Sequence, residues 1–295
     1  MKNKRLIVLS AIIAVAALLA IGTVVTATSS TVVVTPTNLN GWTQQHSICS
    51  NNSPTGSQAF VDGPGTPPLG TGSHEFRIGL DGDSFETMRN PNYSGVKLTS
   101  LTALGYSTYV QQFIDGQAPY ILLNIDLNGD GVFDVETGPD DQIFFEPVYQ
   151  SAVFFPSNNQ GVITLNTWQD WDALHGGWWS LKGTNGANPG TGVKSLSDYG
   201  AGFPNAAIIN SSTGAGGFRV ATGCGGGAWT NFVGNADAVI IGVNGNTTTY
   251  DFELHTVPTS VNQCKNGGWK TFNPPPSHGP FKNQGDCIQF VNTGK

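Results

Sequence analysis

The sequence predicts an all-β protein, an antiparallel two-sheet sandwich of the jelly-roll or concanavalin kind with a small disulfide-closed tail. Three observations predict it. Gly (39) and Pro (17) make up roughly one residue in five of the 295, and each is costly inside a helix, which excludes long helices and coiled coils. Short β-type runs recur at 75–78, 106–113, 120–126, 142–150, 162–171, 206–210, 218–222, 236–243 and 247–253, the rhythm of a sandwich or barrel. Between them lie Asp115-Gly116, Asn128-Gly129 and Asn244-Gly245, which supply the positive φ that tight hairpins need. With 38% hydrophobic and 10% aromatic residues the chain is apolar enough to pack a core rather than remain disordered.

Taken in order, residues 1–5 are basic and 6–21 apolar, with Val25 and Ala27 placed for signal-peptidase cleavage after residue 27. An uncleaved anchor is the alternative, since residues 6–27 are long enough to span a bilayer. Both readings put the rest of the chain outside the cell, secreted or at the surface. Residues 28–40 are a Thr/Val-rich lead-in, and 50–73 read as loop. Residues 28–255 form one sandwich domain with its core from about 39. Within it, 195–203 suit one or two helical turns capped by Ser195 or Ser197. Residues 256–263 read as a linker and 264–295 as a basic two-cysteine tail.

Charge narrows the partners. Residues 28–263 hold six Lys or Arg against nineteen Asp or Glu, so nucleic acid is excluded as a partner. Beyond a possible N-terminal anchor no segment engages a membrane. The tail holds four Lys and one Asp, which suits either the acidic sandwich or an anionic wall polymer. Four cysteines fit an oxidising compartment. Cys264 and Cys287 are the natural pair within the tail, leaving Cys49 and Cys224, although three connectivities are open. A four-thiolate zinc site is disfavoured because no C-x-x-C half-site occurs. Between the tail cysteines, Gly267-Gly268 and Pro274-Pro275-Pro276 argue against a continuous helix or sheet.

The runs APYILLNIDLNGDGVFD (118–134), FFEPVYQ (144–150), TWQDWDALHGGWWS (167–180), AWTNFVGNADAVIIGVNG (228–245) and TTTYDFE (247–253), with CKNGGWKTF (264–272) and FKNQGDCIQFV (281–291), resemble a largely uncharacterised family of secreted microbial proteins with a short two-cysteine C-terminal tail. The resemblance implies an extracellular β-sandwich of the concanavalin or jelly-roll kind, and no reaction.

Three constellations carry chemistry. Asp126, Asn128 and Asp130 stand at alternate positions before Gly131, followed by the Val132 carbonyl and Asp134, an oxygen set suited to a structural Ca²⁺. Thr137 stands where an EF-hand has its bidentate Glu, so Glu136, Asp140 or Asp141 would complete the shell. Seven acids fall between 126 and 146, and no Lys or Arg occurs between Lys97 and Lys182; a cation would relieve that repulsion, as would solvent and salt around a plain acidic loop. Next, Trp168, Trp171, Trp178 and Trp179 lie within twelve residues beside Asp170, Asp172 and His175. Exposed, these rings would stack on sugars while the acids take hydroxyl hydrogen bonds; buried, they would be ordinary core. On a strand, Trp168, Asp170 and Asp172 share one face and Trp171 the other. Finally, Asp251 and Glu253 share a face of a last strand. That is the spacing of a carboxylate pair, read here as a solvent-facing strand end, and no catalytic residue is assigned because no nucleophile, metalloprotease or glucanase motif occurs. The Gly-rich run Gly223-Cys224-Gly225-Gly226-Gly227 lacks the Lys-Ser/Thr of a phosphate loop and reads as a bulge or wide turn.

The expected function is a non-catalytic extracellular module that binds glycan, cell wall or matrix, with calcium as a structural ion. A structural or adhesive surface protein without a defined small ligand is the alternative, and a glycan-cleaving enzyme a more distant one.

Overall fold

A computed structural model describes residues 27–49, 55–274 and 278–294; the expected leader, 1–27, lies outside the described residues except for its last position. Two sheets face each other. The first contains β1 (Thr28–Val34), β3 (Ser57–Asp62), β4 (Gly72–Arg77), β6 (Leu101–Gln112), β9 (Trp168–Asp172), β14 (Val233–Val243) and β15 (Asn246–Phe252). The second contains β2 (Thr43–Ile48), β5 (Ser84–Asn90), β7 (Tyr120–Asp126), β8 (Asp141–Phe145), β10 (Gly177–Ser180), β11 (Lys194–Ser195), β12 (Ala207–Ile208) and β13 (Phe218–Gly223). Its order is β11-β10-β8-β7-β13-β5-β2, with β12 also pairing β7. All pairings between these strands are antiparallel except β1 on β15, which is parallel.

The architecture agrees with the predicted two-sheet class. It differs in several elements. β3 lies inside the stretch 50–73 read as loop, because Ala59-Phe60-Val61 supplies an apolar centre that the flanking Gly, Ser and Pro obscure. β1 forms from the lead-in, and its Val34 is fully buried in the core, so the core begins before residue 39. The helix α1 (Leu196–Gly202) starts where expected, with Ser195 accepting from the Asp198 amide and Asp198 answering in a capping box.

In β14 the first residues pair with β4 and the last with β15, all on one edge, while β6 runs along the other. The exchange occurs at a bulge where Ala238 has φ +50°. There the Phe252 amide donates to Asp237 Oδ1 at 2.8 Å and the Leu69 amide to Oδ2 at 3.3 Å. The carboxylate thus satisfies backbone donors that the bulge leaves out of the ladder.

The inner faces interlock through large rings. Trp42 meets Phe218, Tyr250 and Phe252 edge-on at 5.7, 5.1 and 5.3 Å, a preferred aromatic arrangement. Buried His74 packs among Phe60, Phe76 and Phe252, and burial drives its pKa down to about 3, so the ring is neutral.

Both disulfides form as paired from the sequence, Cys49–Cys224 and Cys264–Cys287, in keeping with an oxidising compartment. The second bridge joins α2 (Val261–Cys264) to α3 (Gln284–Thr293), with Phe281 buried and Trp269, Phe272 and Phe290 packed around it. α3 departs from the expected lack of helix because the breaking residues end at Pro280, and Asn283 then caps the helix through the Asp286 amide. Residues 256–263 are tied in as well: Thr256 pairs with Asn273, and α2 begins at Val261. No helix among the described residues is long and apolar enough to cross a membrane.

The tail core is separate from the sandwich core. Replacing Cys264 and Cys287 by Ser together should remove about 3 kcal/mol from the tail and abolish amide protection in α3. Hydrogen exchange should show the sandwich strands unchanged.

Candidate functional site

Alternation along the second sheet sends Ile121, Leu123, Ile143, Phe145, Phe218 and Val220 inward, and Tyr120, Leu122, Gln142, Phe144 and Arg219 to the outer face. That outer face is covered too, since every residue of β7 is buried. Over it stands a cavity of about 540 Å³. Its floor is the outer face of β7, β8 and β13. Its walls are Trp179 and Leu181, the Tyr149 turn, the Cys49–Cys224 bridge and the segment ending in Trp229.

Aromatic rings dominate the lining. Trp179 stacks on Phe144 at 4.1 Å and 7° while remaining half-buried. Trp229 leans on Tyr120 at 5.7 Å. Trp229 reaches this position because of the Gly-rich run, which forms the expected turn: a Cβ on Gly225 would sit 2.4 Å from the Trp229 ring, and one on Gly223 (φ +94°) 1.7 Å from the Ser84 carbonyl. The disulfide fixes the same segment to the end of β2.

Planar polar groups complete the lining. Gln142 and Arg219 both donate to Asn124 Oδ1, at 2.8 and 2.9 Å. Gln117 Oε1 and Asn124 Nδ2 are buried without partners. Arg219 also donates through Nε to the Gly216 carbonyl at 3.2 Å. Burial, and then the neighbouring Arg89, lower the Arg219 pKa to about 9, so it stays charged at neutral pH. Glu146 is the one carboxyl group in the lining among the described residues. Burial raises its pKa from 4.5 to about 7 against the pull of the nearby Trp179 indole N–H.

The four-tryptophan locus is not one site. Trp168 and Trp171 lie on β9 in the first sheet, Trp178 and Trp179 on β10 in the second. Trp168 is half-buried, with Nε1 on the Pro64 carbonyl at 2.8 Å. Trp171 and Trp178 are buried, bonded to Thr108 Oγ1 and the Ala173 carbonyl at 2.8 Å each. Asp170 and Asp172 share the outward face of β9, as the alternation requires. Asp170 accepts from Ser107 at 2.5 Å, and Asp172 holds His175 at 2.7 Å. They line an open groove of about 630 Å³ on the first sheet, where the Trp171 ring is turned inward. Only Trp179 of the four belongs to the cavity on the second sheet.

Asp251 and Glu253 share a face but are buried rather than solvent-facing, because the loop before β4 crosses them. Glu253 accepts from the Thr71 and Gly72 amides at 2.7 and 3.0 Å. Burial and the adjacent Glu253 push Asp251 upward, and burial takes Asp237 to about 8.

In the acidic loop, Asp126 accepts from the Gly129 and Gly131 amides at 2.6 and 2.8 Å, and Asp130 from Val132 at 2.9 Å. Asn128 Oδ1 accepts from the Asp130 amide at 3.1 Å. Asp140 bridges Leu127 and Asp134 at 3.0 Å each, and Asp134 Oδ1 is sealed without a partner.

The chain matches no family model, no curated protein and no solved structure. The functional reading therefore rests on the cavity itself. Of its lining, the sequence pointed to Trp179, the Cys49–Cys224 pair and the Gly223–Gly225 turn but to none of the remaining residues, although Arg219 and Gln142, polar residues beside apolar runs in β13 and β8, were the available signal.

Glu146, Asp237 and Asp251 all have native pKa values above their unfolded ones, so the native state binds the extra protons. Stability should then fall as pH rises from about 4 to 8, by on the order of 2 kcal/mol or more. Glu146→Gln should flatten the part of that loss between pH 4.5 and 7 in urea-melt series. A wild type whose stability rises over the same window would contradict the assignment.

Proposed function

We propose that this protein is a secreted or surface glycan-binding module whose ligand occupies the outer-face cavity of the second sheet. The observation that carries this reading is the half-buried Trp179, stacked on Phe144 and bordering a cavity whose remaining lining combines rings with planar amide and guanidinium groups. Mostly apolar walls with a few fixed polar groups are what a small-ligand site requires. A ring face takes the C–H face of a pyranose, while Gln117, Gln142 and Arg219 offer donors and acceptors suited to hydroxyls. Cleavage is the weaker reading, because a glycosidase flanks the scissile bond with two carboxyl groups and the lining supplies Glu146. The basic leader with its apolar run and the two disulfides support export.

Calcium is proposed as a structural ion of the loop 126–140. Asp126, Asn128, Asp130, the Val132 carbonyl and Asp134 would hold it, and the sealed, unpartnered Asp134 Oδ1 fits a cation.

In affinity electrophoresis across a polysaccharide panel, Trp179→Ala should weaken binding by about tenfold, near 1.4 kcal/mol, while the melt stays cooperative though lowered by loss of the Phe144 stack. Wild-type retardation in that variant would remove the cavity from consideration. Saturating Ca²⁺ should raise the melting temperature by mass action, and Asp130→Ala should diminish the rise; overlaid melts with Ca²⁺ and with chelator would refute the ion.

A further inference from the structure

One arginine on the floor of the cavity, Arg219, has a second arginine beside it on the same sheet face, and neither is ion-paired. Arg219 on β13 and Arg89 on β5 are direct register partners. Both are buried, at 5% and 7% exposure. Every Asp and Glu of the chain lies among the described residues, yet no ion pair joins either guanidinium to a carboxylate. Arg89 donates to Thr87 Oγ1 at 2.8 Å and lies over the Phe85 ring at 6.0 Å. Arg219 uses Nε and one Nη on neutral oxygens. A guanidinium carries five N–H donors, and bonds among the described residues use only three of this pair's ten.

Like charges opposite one another on a sheet are destabilising, and buried unpaired charges more so. The surroundings make the arrangement harder to explain as packing. Residues 28–263 hold only six Lys or Arg against nineteen acids, and Arg77 illustrates the usual outcome by pairing with Glu75 at 2.6 Å. Two of six cations are instead placed side by side on one sheet face, one of them lining the cavity that also holds Glu146, and neither is ion-paired to any of the nineteen acids.

We infer that the cavity recognises an anionic sugar residue, with Arg219, supported by Arg89, taking its carboxylate or sulfate while Trp179 takes a neighbouring ring. A planar fork matches an oxyanion with two parallel hydrogen bonds. The register gives the spacing: Arg219, Leu122, Phe144 and Trp179 are successive partners across β13, β7, β8 and β10. At about 4.8 Å per strand, Arg219 and Trp179 stand about 14 Å apart along the backbone. Such a span admits a short run of sugar rings rather than a monosaccharide. The ligand class is therefore an acidic polysaccharide, which rests on the glycan-binding reading and narrows it.

The test uses the full chain and three probes: an oligogalacturonate, the same oligosaccharide with its carboxyls reduced to neutral alcohols, and a sulfated dextran fragment. Binding is followed by the fluorescence of the cavity tryptophans and by calorimetry. The anionic probes should bind at least tenfold more tightly than the reduced one at low salt, with the preference shrinking as salt rises. In Arg219→Gln and Arg89→Gln that preference should fall towards one. Oligogalacturonate above sulfated dextran assigns a carboxylate, and the reverse order a sulfate ester; either supports the anion site. Equal affinity of the wild type for the oligogalacturonate and its reduced form overturns the inference while the glycan reading stands. No binding of any probe overturns both. The wild-type comparison decides the matter even where an arginine variant fails to fold.

Discussion

The period-two alternation of β7, β8 and β13 is the constraint on which the rest of the molecule depends. Ile121, Leu123, Ile143, Phe145, Phe218 and Val220 must face the first sheet to close the core around Trp42 and Trp178. Tyr120, Leu122, Gln142, Phe144 and Arg219 are thereby committed to the opposite face. A slip of one residue would place Arg219 and Gln142 among the rings and Phe145 in the cavity, so packing and site share one register. The parallel addition of β1 and the bulge at Ala238 adjust the other sheet without disturbing this one.

What encloses the outer face is a second, local device. The chain leaves β13 through Gly223, turns over Cys224 and Gly225, and presents Trp229 to Tyr120. Glycine at Gly223 is needed because a side chain would meet the Ser84 carbonyl, and at Gly225 because one would meet the Trp229 ring. The disulfide to Cys49 lowers the freedom of this segment in the unfolded chain and holds it against the end of β2 in the folded one. Preorganised walls of this kind reduce the ordering cost of a ligand.

Much of the architecture was legible because it is written in local chemistry. β7 coincides with the apolar run 120–126, the Asn244-Gly245 hairpin has both residues at positive φ, and the cysteine pairing followed from the shortness of the tail. β3 and β10 were not legible: β10 is only four residues long, and Gly, Ser or Pro around both give the same signal as loop. The site was less visible still. Trp179 was one of four tryptophans grouped as a single locus, but which rings share a surface is decided by sheet membership, and residues 168–172 and 177–180 enter different sheets. Arg89 and Arg219 are 130 positions apart, and only the β5–β13 register brings them together. The acids at 251 and 253 have strand spacing readable from sequence, yet their burial depends on the loop that carries Thr71 across them.

Stability alone would not select this cavity. An outer face closed by aliphatic residues across β5, β13, β7 and β8 and their flanking turns would avoid two guanidiniums without ion pairs, a carboxyl lifted to about 7 and unpartnered amide atoms of Gln117 and Asn124, each of which costs free energy when buried. Natural sequences break local consistency of this kind mainly where function requires it. The particular pattern of violations also has a sign. Well below pH 7 Glu146 is protonated, and Arg219 is then the only formal charge in the lining among the described residues. A cavity that suppresses its own carboxylate while retaining an uncompensated guanidinium is electrostatically complementary to an anion. The acidic exterior does not oppose this, because exposed charges beyond a Debye length of about 8 Å are largely screened whereas the desolvated arginine is not. Net charge of the chain and charge preference of the site are thus separate properties, set by different residues.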